Sequence, residues 1–172
     1  MCIRDRFSSL QVRFGFVDMH VLDLFAGSGA LGLEAASRGA AEVVLVENNP
    51  EAVRIIEFNA GVVGHPNTVV EPVKASTYLA RAPRNHFDMV LADPPYELAD
   101  EAVAEMVEAL KPALRDGAVV VVERHRESPE TAWPAEFTPT GQKLKKRLYG
   151  IARMDMAVYA DPDAETVAEG GE

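Results

Sequence analysis

Cysteine, long apolar runs and basic charge are all scarce in this 172-residue sequence. Its single cysteine, Cys2, lies near the N-terminus, which excludes a disulfide framework and a cysteine-based metal site within one chain and fits a reducing cytoplasm. No apolar run approaches the ~20 residues that cross a bilayer, so we expect no membrane association. At about 150 residues per domain, the length predicts a single domain.

Basic residues are outnumbered, since 17 Lys and Arg stand against 27 Asp and Glu and give a net charge of −10. This balance argues against a protein that grips bare nucleic acid over a large surface. Half of the excess lies in residues 161–172, which contain five acidic and no basic residues. We expect these residues to form a disordered acidic tail and residues 7–160 to form the domain.

Apolar runs of strand length alternate with helical stretches along the chain. The runs are His20–Phe25, Glu42–Glu47, Thr68–Val73, Phe87–Ala92 and Ala118–Glu123. Their near-continuous valine and leucine content indicates parallel strands buried on both faces. Two later stretches, Gln142–Tyr149 and Ile151–Tyr159, predict a closing antiparallel pair. The sequence therefore predicts an α/β fold with a Rossmann-like, doubly wound and mostly parallel sheet.

The helices between these strands carry their own start and stop signals. A helix over Ala30–Arg38 is predicted to end at Gly39, and the next to begin at Pro50 with Asn49 as its N-cap. A shorter helix is weakly indicated around residues 76–81. Apolar residues at helical spacing over 103–110 predict a helix with one face against the sheet.

A glycine-rich segment follows the first predicted strand and precedes the first predicted helix. Gly27, Gly29 and Gly32 match G-x-G-x-x-G, and Glu47 ends the next strand 20 residues after Gly27. Such glycines permit a tight turn and close approach of a ligand, and the acid accepts hydrogen bonds from ribose hydroxyls. The segment predicts a nucleoside-binding loop, against the competing interpretation that the glycines only shape the turn.

Asp23 discriminates between nucleotides because it stands four residues before Gly27. Its carboxylate would repel the pyrophosphate of a dinucleotide and attract the ammonium and sulfonium groups of S-adenosylmethionine. We therefore expect S-adenosylmethionine as the cofactor. An NAD-dependent oxidoreductase and a non-catalytic nucleotide-binding module remain the alternatives.

The tetrapeptide Asp93-Pro94-Pro95-Tyr96 follows the fourth predicted strand, at the edge where open α/β sheets bind ligands. Its prolines remove two N–H donors and leave carbonyl acceptors. Asp93 and the Pro94 carbonyl would accept both hydrogens of an exocyclic amine, while Tyr96 stacks on the ring. The motif predicts methylation of an amino group. Whether Asp93 only positions the amine or also removes its proton stays open.

Residues 21–35, together with the Asp93–Tyr96 tetrapeptide, resemble the bacterial 16S ribosomal RNA guanine-N2 methyltransferase family. The resemblance covers most of residues 7–159. It implies an S-adenosylmethionine-dependent enzyme with a seven-stranded doubly wound sheet that methylates the 2-amino group of one guanine. The implied partner is 16S rRNA in the small ribosomal subunit or its assembly intermediate, and we expect a cytoplasmic monomer.

The resemblance implies roles for individual residues. The expected catalytic residues are Asp93, Pro94, Pro95 and Tyr96. The expected cofactor-binding residues are Asp23, Phe25, Ala26, Gly27, Ser28, Gly29, Gly32, Glu47, Asn48 and Ser76. Relatives carry an acid after the third strand that contacts the adenine amino group, whereas this sequence reads Lys74-Ala75-Ser76-Thr77 and offers only the Ser76 hydroxyl. Of the family's basic N-terminal segment only residues 6–10 are similar, which implies a truncated domain.

Several other features remain open. The densest basic run consists of Lys143, Lys145, Lys146 and Arg147. It is consistent either with phosphate contacts, made together with Arg124 and Arg126, or with a solvated edge strand. The four histidines, at positions 20, 65, 86 and 125, lack metal-ligand spacing, so we expect no metal site. Trp133 and Phe137 are interpreted as packing residues. The motifs alone also allow an adenine-N6 methyltransferase acting on RNA or DNA.

Overall fold

The structure, a computed structural model, describes residues 15–164. Within that range eight strands form one sheet in the order β3-β2-β1-β4-β5-β8-β6, with β7 paired to β8. The strands are β1 (His20–Leu24), β2 (Glu42–Val46), β3 (Thr68–Glu71), β4 (Phe87–Ala92), β5 (Leu114–His125), β6 (Phe137–Pro139), β7 (Leu148–Tyr149) and β8 (Ala152–Tyr159). Residues 7–14 of the predicted domain and most of the predicted tail lie outside the described residues.

The first five strands are parallel, and β8 runs antiparallel to both β5 and β6. The predicted mostly parallel sheet with antiparallel strands at its end is confirmed. β1 lies between β2 and β4, so the chain leaves β1 toward one side of the sheet and later returns to continue on the other. In open α/β sheets this reversal of strand order places the ligand-binding crevice at the carboxyl ends of the two central strands.

Helices cover both faces of the sheet. They are α1 (Ala30–Ser37), α2 (Pro50–Val63), α3 (Ala75–Leu79), α4 (Asp100–Leu110) and α5 (Leu144–Arg147), with a 3₁₀ turn over Lys111–Ala113. Leu33 from α1 and Ile56 from α2 are buried on one face together with Val21 of β1. Val103 and Leu110, from α4, are buried on the other face. The doubly wound arrangement is therefore confirmed, with one apolar core on each face.

The region after residue 139 differs from its prediction. The predicted strand Gln142–Tyr149 is wrong for most of its length, because residues 144–147 form a short helix and only residues 148–149 pair with β8. The helical turn lets Arg147 reach Asp155 at 2.9 Å and Glu130 at 2.8 Å, contacts that a solvated edge strand does not make. The interpretation of Trp133 and Phe137 as packing residues is confirmed, since their ring centroids lie 5.6 Å apart and Phe137 is buried.

None of the helices in residues 15–164 combines the length and the apolar character that a membrane span requires.

Candidate active site

The glycine loop leaves β1 through a run of unusual backbone conformations. Phe25 has a φ of 60°, in the left-handed region that is costly for a residue with a side chain, and Gly27 and Gly29 follow with φ of 58° and 80°. A turn hydrogen bond from the Gly29 N–H to the Ala26 carbonyl spans 2.8 Å. The Asn59 side-chain amide donates to the Ser28 carbonyl at 3.2 Å and so ties the loop to α2. These contacts hold the loop in a defined conformation.

Gly32 is the glycine that packing requires. A Cβ built at this position would lie 2.4 Å from Leu45 Cδ2 and 3.1 Å from Asp23 Oδ2. The first turn of α1 can approach the sheet this closely only without a side chain. The third glycine of the motif therefore sets the distance between helix and strand, while the first two shape the loop.

Glu47 holds the loop from the end of β2. Its Oε2 accepts the Gly27 N–H at 2.8 Å, and its Oε1 accepts the N–H groups of Asn48 and Asn49 at 3.1 and 3.0 Å. Each carboxylate oxygen has two lone pairs, so Oε2 can accept one further hydrogen bond. Glu47 is thus fixed in orientation with an acceptor available for a ligand hydroxyl.

Asp23 lies beneath the loop and not at its mouth, where the charge argument had placed it. The side chain is fully buried, with Oδ2 accepting the Gly32 N–H at 2.9 Å and Oδ1 without a hydrogen-bond partner among the described residues. Burial, opposed by the Gly32 bond and reinforced by the charges of Asp93 and Glu47, raises the pKa of Asp23 to about 7. A cation bound nearby would reverse much of this effect, because it favours the ionised form.

The Asp93–Tyr96 tetrapeptide lines an open cleft of about 510 Å³ beside the carboxyl ends of β1 and β2. Phe25, Asn48 and Pro95 are among its lining residues, and so are four acidic ones, Glu47, Asp93, Glu97 and Glu123. The predicted catalytic tetrapeptide therefore lines the same cleft as Phe25, Glu47 and Asn48, which are predicted cofactor-binding residues. Its acidic lining suits a positively charged ligand and disfavours a pyrophosphate.

Within the tetrapeptide the two proline carbonyls have different surroundings. The Pro95 carbonyl accepts the Leu98 N–H at 2.9 Å and closes the turn after the motif. Tyr96 is 39% exposed, and its ring meets the His125 ring edge-on with centroids 5.4 Å apart. The Pro95 oxygen takes part in the turn, and the Pro94 carbonyl, next to Asp93, is the acceptor expected from the sequence.

A second cleft of about 640 Å³ continues from the first, and Phe25, Asn48 and Pro95 line both. It runs between α3 and α4 and has a mainly apolar wall, with residues such as Leu79, Leu98 and Met106. Ser76 and Lys74 lie on this wall, where the sequence analysis expects the adenine of the cofactor. The cleft offers an apolar slot for a planar base with a hydroxyl at its rim.

Arg124 is not placed for the phosphate contact that its sequence position allows. The side chain is only 4% exposed and donates to the Leu98 carbonyl at 3.2 Å and to Asp100 Oδ1 at 2.8 Å. It therefore anchors the segment after the tetrapeptide and is not free to contact phosphate. Lys143, Lys145 and Lys146 are exposed and remain available for such contacts.

Sequence reasoning missed two features that involve histidine. His125 supports the Tyr96 ring, and no local signal connects residues from β5 and from the loop after β4. At the opposite edge of the sheet His20, Glu42 and His86 lie together, although the histidines look scattered along the chain. Only the alignment of neighbouring strands brings these three residues to one place.

The residues present fit S-adenosylmethionine on two structural grounds. The cleft lining is acidic, and the buried Asp23 has one carboxylate oxygen without a hydrogen-bond partner among the described residues. Glu47 is placed to hold ribose hydroxyls, and Ser76 with the apolar slot is placed to hold adenine. The roles of these residues in binding remain predictions.

Comparison with known proteins gives consistent matches. The family model described as Conserved hypothetical protein 95 matches residues 4–157. Ribosomal RNA small subunit methyltransferase D of Escherichia coli strain K12 is 33% identical over 150 residues, covering 86% of this chain and 74% of that protein. Matches to three curated relatives cover 73%, 66% and 74% of their lengths.

Solved structures of other proteins are also similar to this chain. A conserved hypothetical protein from Streptococcus pyogenes superposes with a TM-score of 0.76 at 32% identity, covering 88% of this chain and 94% of that one. An RNA methyltransferase from Salinibacter ruber, solved in complex with S-adenosyl-L-homocysteine, gives a TM-score of 0.66 at 16% identity and covers 94% of both chains. At that identity the second likeness concerns the fold.

Proposed function

The chain belongs to the family described as Conserved hypothetical protein 95, and we propose that it methylates the 2-amino group of a guanine in 16S ribosomal RNA. It is a methyltransferase with the fold of the class I enzymes, whose cofactor is S-adenosylmethionine. The choice of base and of RNA is the proposed part. The partner we propose is the small ribosomal subunit or its assembly intermediate.

One observation carries the proposal: the Asp93–Tyr96 tetrapeptide lines the same cleft as Phe25, Glu47 and Asn48, three of the predicted cofactor-binding residues. A methyl donor and an acceptor amine must meet in line at about 3 Å, so the two predicted half-sites are useful only when they face each other. The cleft is open on one side, as a base that swings out of an RNA strand requires.

The cofactor contributes an electrophilic methyl group on a sulfonium sulfur. Glu47 would orient the ribose through the free acceptor site on Oε2. Ser76 would contact the adenine, and the acidic wall with Glu123 would favour the positive charge near the reacting centre. The buried Asp23 would respond to the same charge by releasing its proton.

Asp93 and the Pro94 carbonyl act on the acceptor. By accepting the two hydrogens of the amino group they would turn the nitrogen lone pair out of conjugation and toward the methyl carbon. Bound S-adenosylmethionine would supply the methyl group, and Asp93 or water would take the proton that the methylated nitrogen loses. Tyr96, braced by His125, would stack on the base.

The exposed lysines after β6 supply a basic surface for the RNA backbone. Lys143, Lys145 and Lys146 are solvent-exposed. Phosphate contacts of this kind position an RNA without reading its sequence, and their contribution falls as salt rises. We propose that they steer the small subunit toward the open side of the cleft.

The decisive experiment identifies the methylated nucleoside. Small subunits that lack this modification are incubated with the chain and methyl-labelled S-adenosylmethionine, and the 16S rRNA is digested to nucleosides. We expect the label in N2-methylguanosine, with no label transferred by the Asp93→Ala variant. Label in N6-methyladenosine would instead identify the adenine-specific alternative.

A binding measurement tests the cofactor independently of the substrate. Titration calorimetry with S-adenosylhomocysteine should give saturable binding at one site, and NAD should give none. Binding of NAD alone would remove the methyltransferase chemistry altogether and revive the oxidoreductase alternative. Binding without any transfer to RNA would contradict the proposed substrate and leave the cofactor assignment standing.

A further inference from the structure

Three potential metal ligands converge at the amino edge of the sheet, at the far end of the strands from the cleft. His20 begins β1, Glu42 begins β2 and His86 immediately precedes β4. His20 Nδ1 lies 3.2 Å from His86 Nε2, which lies 2.8 Å from Glu42 Oε1. Among residues 15–164 this is the group of three such side chains whose ligand atoms all lie within 4.8 Å of one another.

Protons alone satisfy this cluster poorly. The His86 Nε2 atom faces two acceptors at once, the Glu42 oxygen and the His20 nitrogen, and one N–H can point well at only one of them. If the proton instead lies on His20 Nδ1 and points to His86, the His86 nitrogen faces the Glu42 carboxylate with no hydrogen between them. A single cation at the centre satisfies all three lone pairs together.

The distances fit a first-row transition metal. Zinc binds imidazole nitrogen at about 2.0–2.1 Å and carboxylate oxygen at about 2.0–2.2 Å, so neighbouring ligand atoms of a tetrahedral site lie about 3.3 Å apart. The two shorter contacts, 3.2 and 2.8 Å, lie within about 0.5 Å of this spacing, and the ligand atoms of His20 and Glu42 lie within 4.8 Å of each other. Two imidazoles and one carboxylate also favour zinc, cobalt or nickel over magnesium and calcium, which prefer all-oxygen sites.

The backbone holds these side chains in position. His20 and Glu42 are register partners in the paired strands β1 and β2. The His20 N–H donates to Asp88 Oδ2 at 2.8 Å, which ties the start of β1 to β4, and Asp88 is paired in turn with Arg115. The side chains of His86 and Glu42 are 25% and 29% exposed, so an ion can enter from solvent and keep a water as its fourth ligand.

We propose that His20, Glu42 and His86 form a binding site for one divalent transition-metal ion of the zinc class. The ion links the first residues of three adjacent strands, β2, β1 and β4. It lies about 17 Å from the cleft, the length of a five-residue strand, so it stabilises the fold and takes no part in methyl transfer.

The test uses the tag-free chain after treatment with a chelator, and the probes are Zn²⁺ and Co²⁺ added as simple salts. We expect saturable binding of one ion per chain, visible by calorimetry for Zn²⁺ and as d–d absorption for Co²⁺. Binding to the native state alone raises the melting temperature by roughly 5–11 °C at a hundredfold excess of free ion over Kd.

Substitutions assign the ligands. His86→Ala and Glu42→Gln should weaken Zn²⁺ binding by more than the roughly 10–100-fold that the loss of an outer-sphere partner causes. His125→Ala, which removes a partly exposed histidine at the opposite edge, is the matched control and should bind Zn²⁺ like the unaltered chain. Equal affinity in all variants, or binding no tighter than that of the doubly substituted His20→Ala/His86→Ala chain, overturns the proposal.

A measurement on the unaltered chain covers the case in which a variant does not fold. X-ray absorption at the zinc edge counts the imidazoles bound to the ion. Two histidine ligands with oxygen completing the shell support the site. One imidazole or none means that Zn²⁺ binds elsewhere on the surface and contradicts it. Because neither readout uses RNA or S-adenosylmethionine, failure here leaves the proposed methylation untouched.

Discussion

The polar side chains at the two edges of the sheet have different kinds of partners. At the carboxyl edge the acidic groups accept backbone N–H groups, as Glu47 does from Gly27, or remain buried and half-satisfied like Asp23. At the amino edge the polar side chains face one another, as His20, Glu42 and His86 do. The carboxyl edge therefore has an excess of negative charge that a cationic cofactor would balance, whereas the polar groups of the amino edge contact one another.

Removing Asp93 should have the largest consequence. Asp93→Ala deletes the acceptor that we propose orients the amine, and the loss of such a positioned group costs about 10²–10⁴ in rate. Single-turnover methylation of small subunits should therefore collapse while the affinity for S-adenosylhomocysteine stays within a few fold. Glu101→Gln, an exposed acid in the first turn of α4, controls for the loss of one negative charge. Near-normal turnover of Asp93→Ala would mean that the Pro94 carbonyl suffices.

The buried Asp23 should make stability depend on pH. Its pKa rises from an ordinary 3.8 to about 7 in the folded state, so between these values the folded chain retains a proton that the unfolded chain has released. The stability contributed by this proton is present in full below about pH 4 and is lost as pH rises through 7. The loss amounts to about 4 kcal/mol at most, at 1.36 kcal/mol for each pKa unit.

Urea unfolding across this pH range isolates the Asp23 effect. The free energy of unfolding of the unaltered chain, less that of Asp23→Asn, should fall from pH 4 to pH 7. Glu57→Gln, on the exposed side of α2, should run parallel to the unaltered chain. A flat difference for Asp23→Asn would show that a positive partner already balances this carboxylate, and the contrast between the edges would then be lost.

Gly32 tests how far shape, as distinct from charge, defines the carboxyl edge. Gly32→Ala brings a Cβ to 2.4 Å from Leu45 Cδ2, and overpacking of this kind costs about 1–3 kcal/mol in the free energy of unfolding. Gly61→Ala is the control, because the same change in the interior of α2 meets open space and should stabilise by about 0.5–1 kcal/mol. Equal stability of the two variants would mean that α1 shifts away from the sheet without cost.

The same contrast explains what the sequence could and could not predict. At the carboxyl edge the informative residues are contiguous, over 23–32 and 93–96, because a tight loop needs its glycines and its acceptors at fixed local spacing. At the amino edge residues 20, 42 and 86 meet only through the pairing of β1 with β2 and β4, which local spacing does not encode. Arg124 likewise pairs with Asp100, 24 residues away, and Arg147 in the helical turn before β7 pairs with Glu130 and Asp155, 17 and 8 residues away.

Ser76 should give the smallest effect and the finest test of the cofactor slot. Ser76 lines the apolar cleft beside α4, where we propose that the adenine binds. Because the residue is exposed, a neutral hydrogen bond from its hydroxyl is worth about 0.5–1.5 kcal/mol, so Ser76→Ala should weaken S-adenosylhomocysteine binding about 2–10-fold. Thr77→Ala removes a neighbouring exposed hydroxyl that does not line the cleft and should leave the affinity unchanged. Ser76→Asp extends the test in the other direction, since a carboxylate forms a stronger bond to the adenine amino group and should tighten binding. If S-adenosylhomocysteine binds most tightly to Ser76→Asp, less tightly to the unaltered chain and least tightly to Ser76→Ala, the adenine lies near residue 76. If these three chains and Thr77→Ala have the same affinity, the adenine lies elsewhere in the cleft.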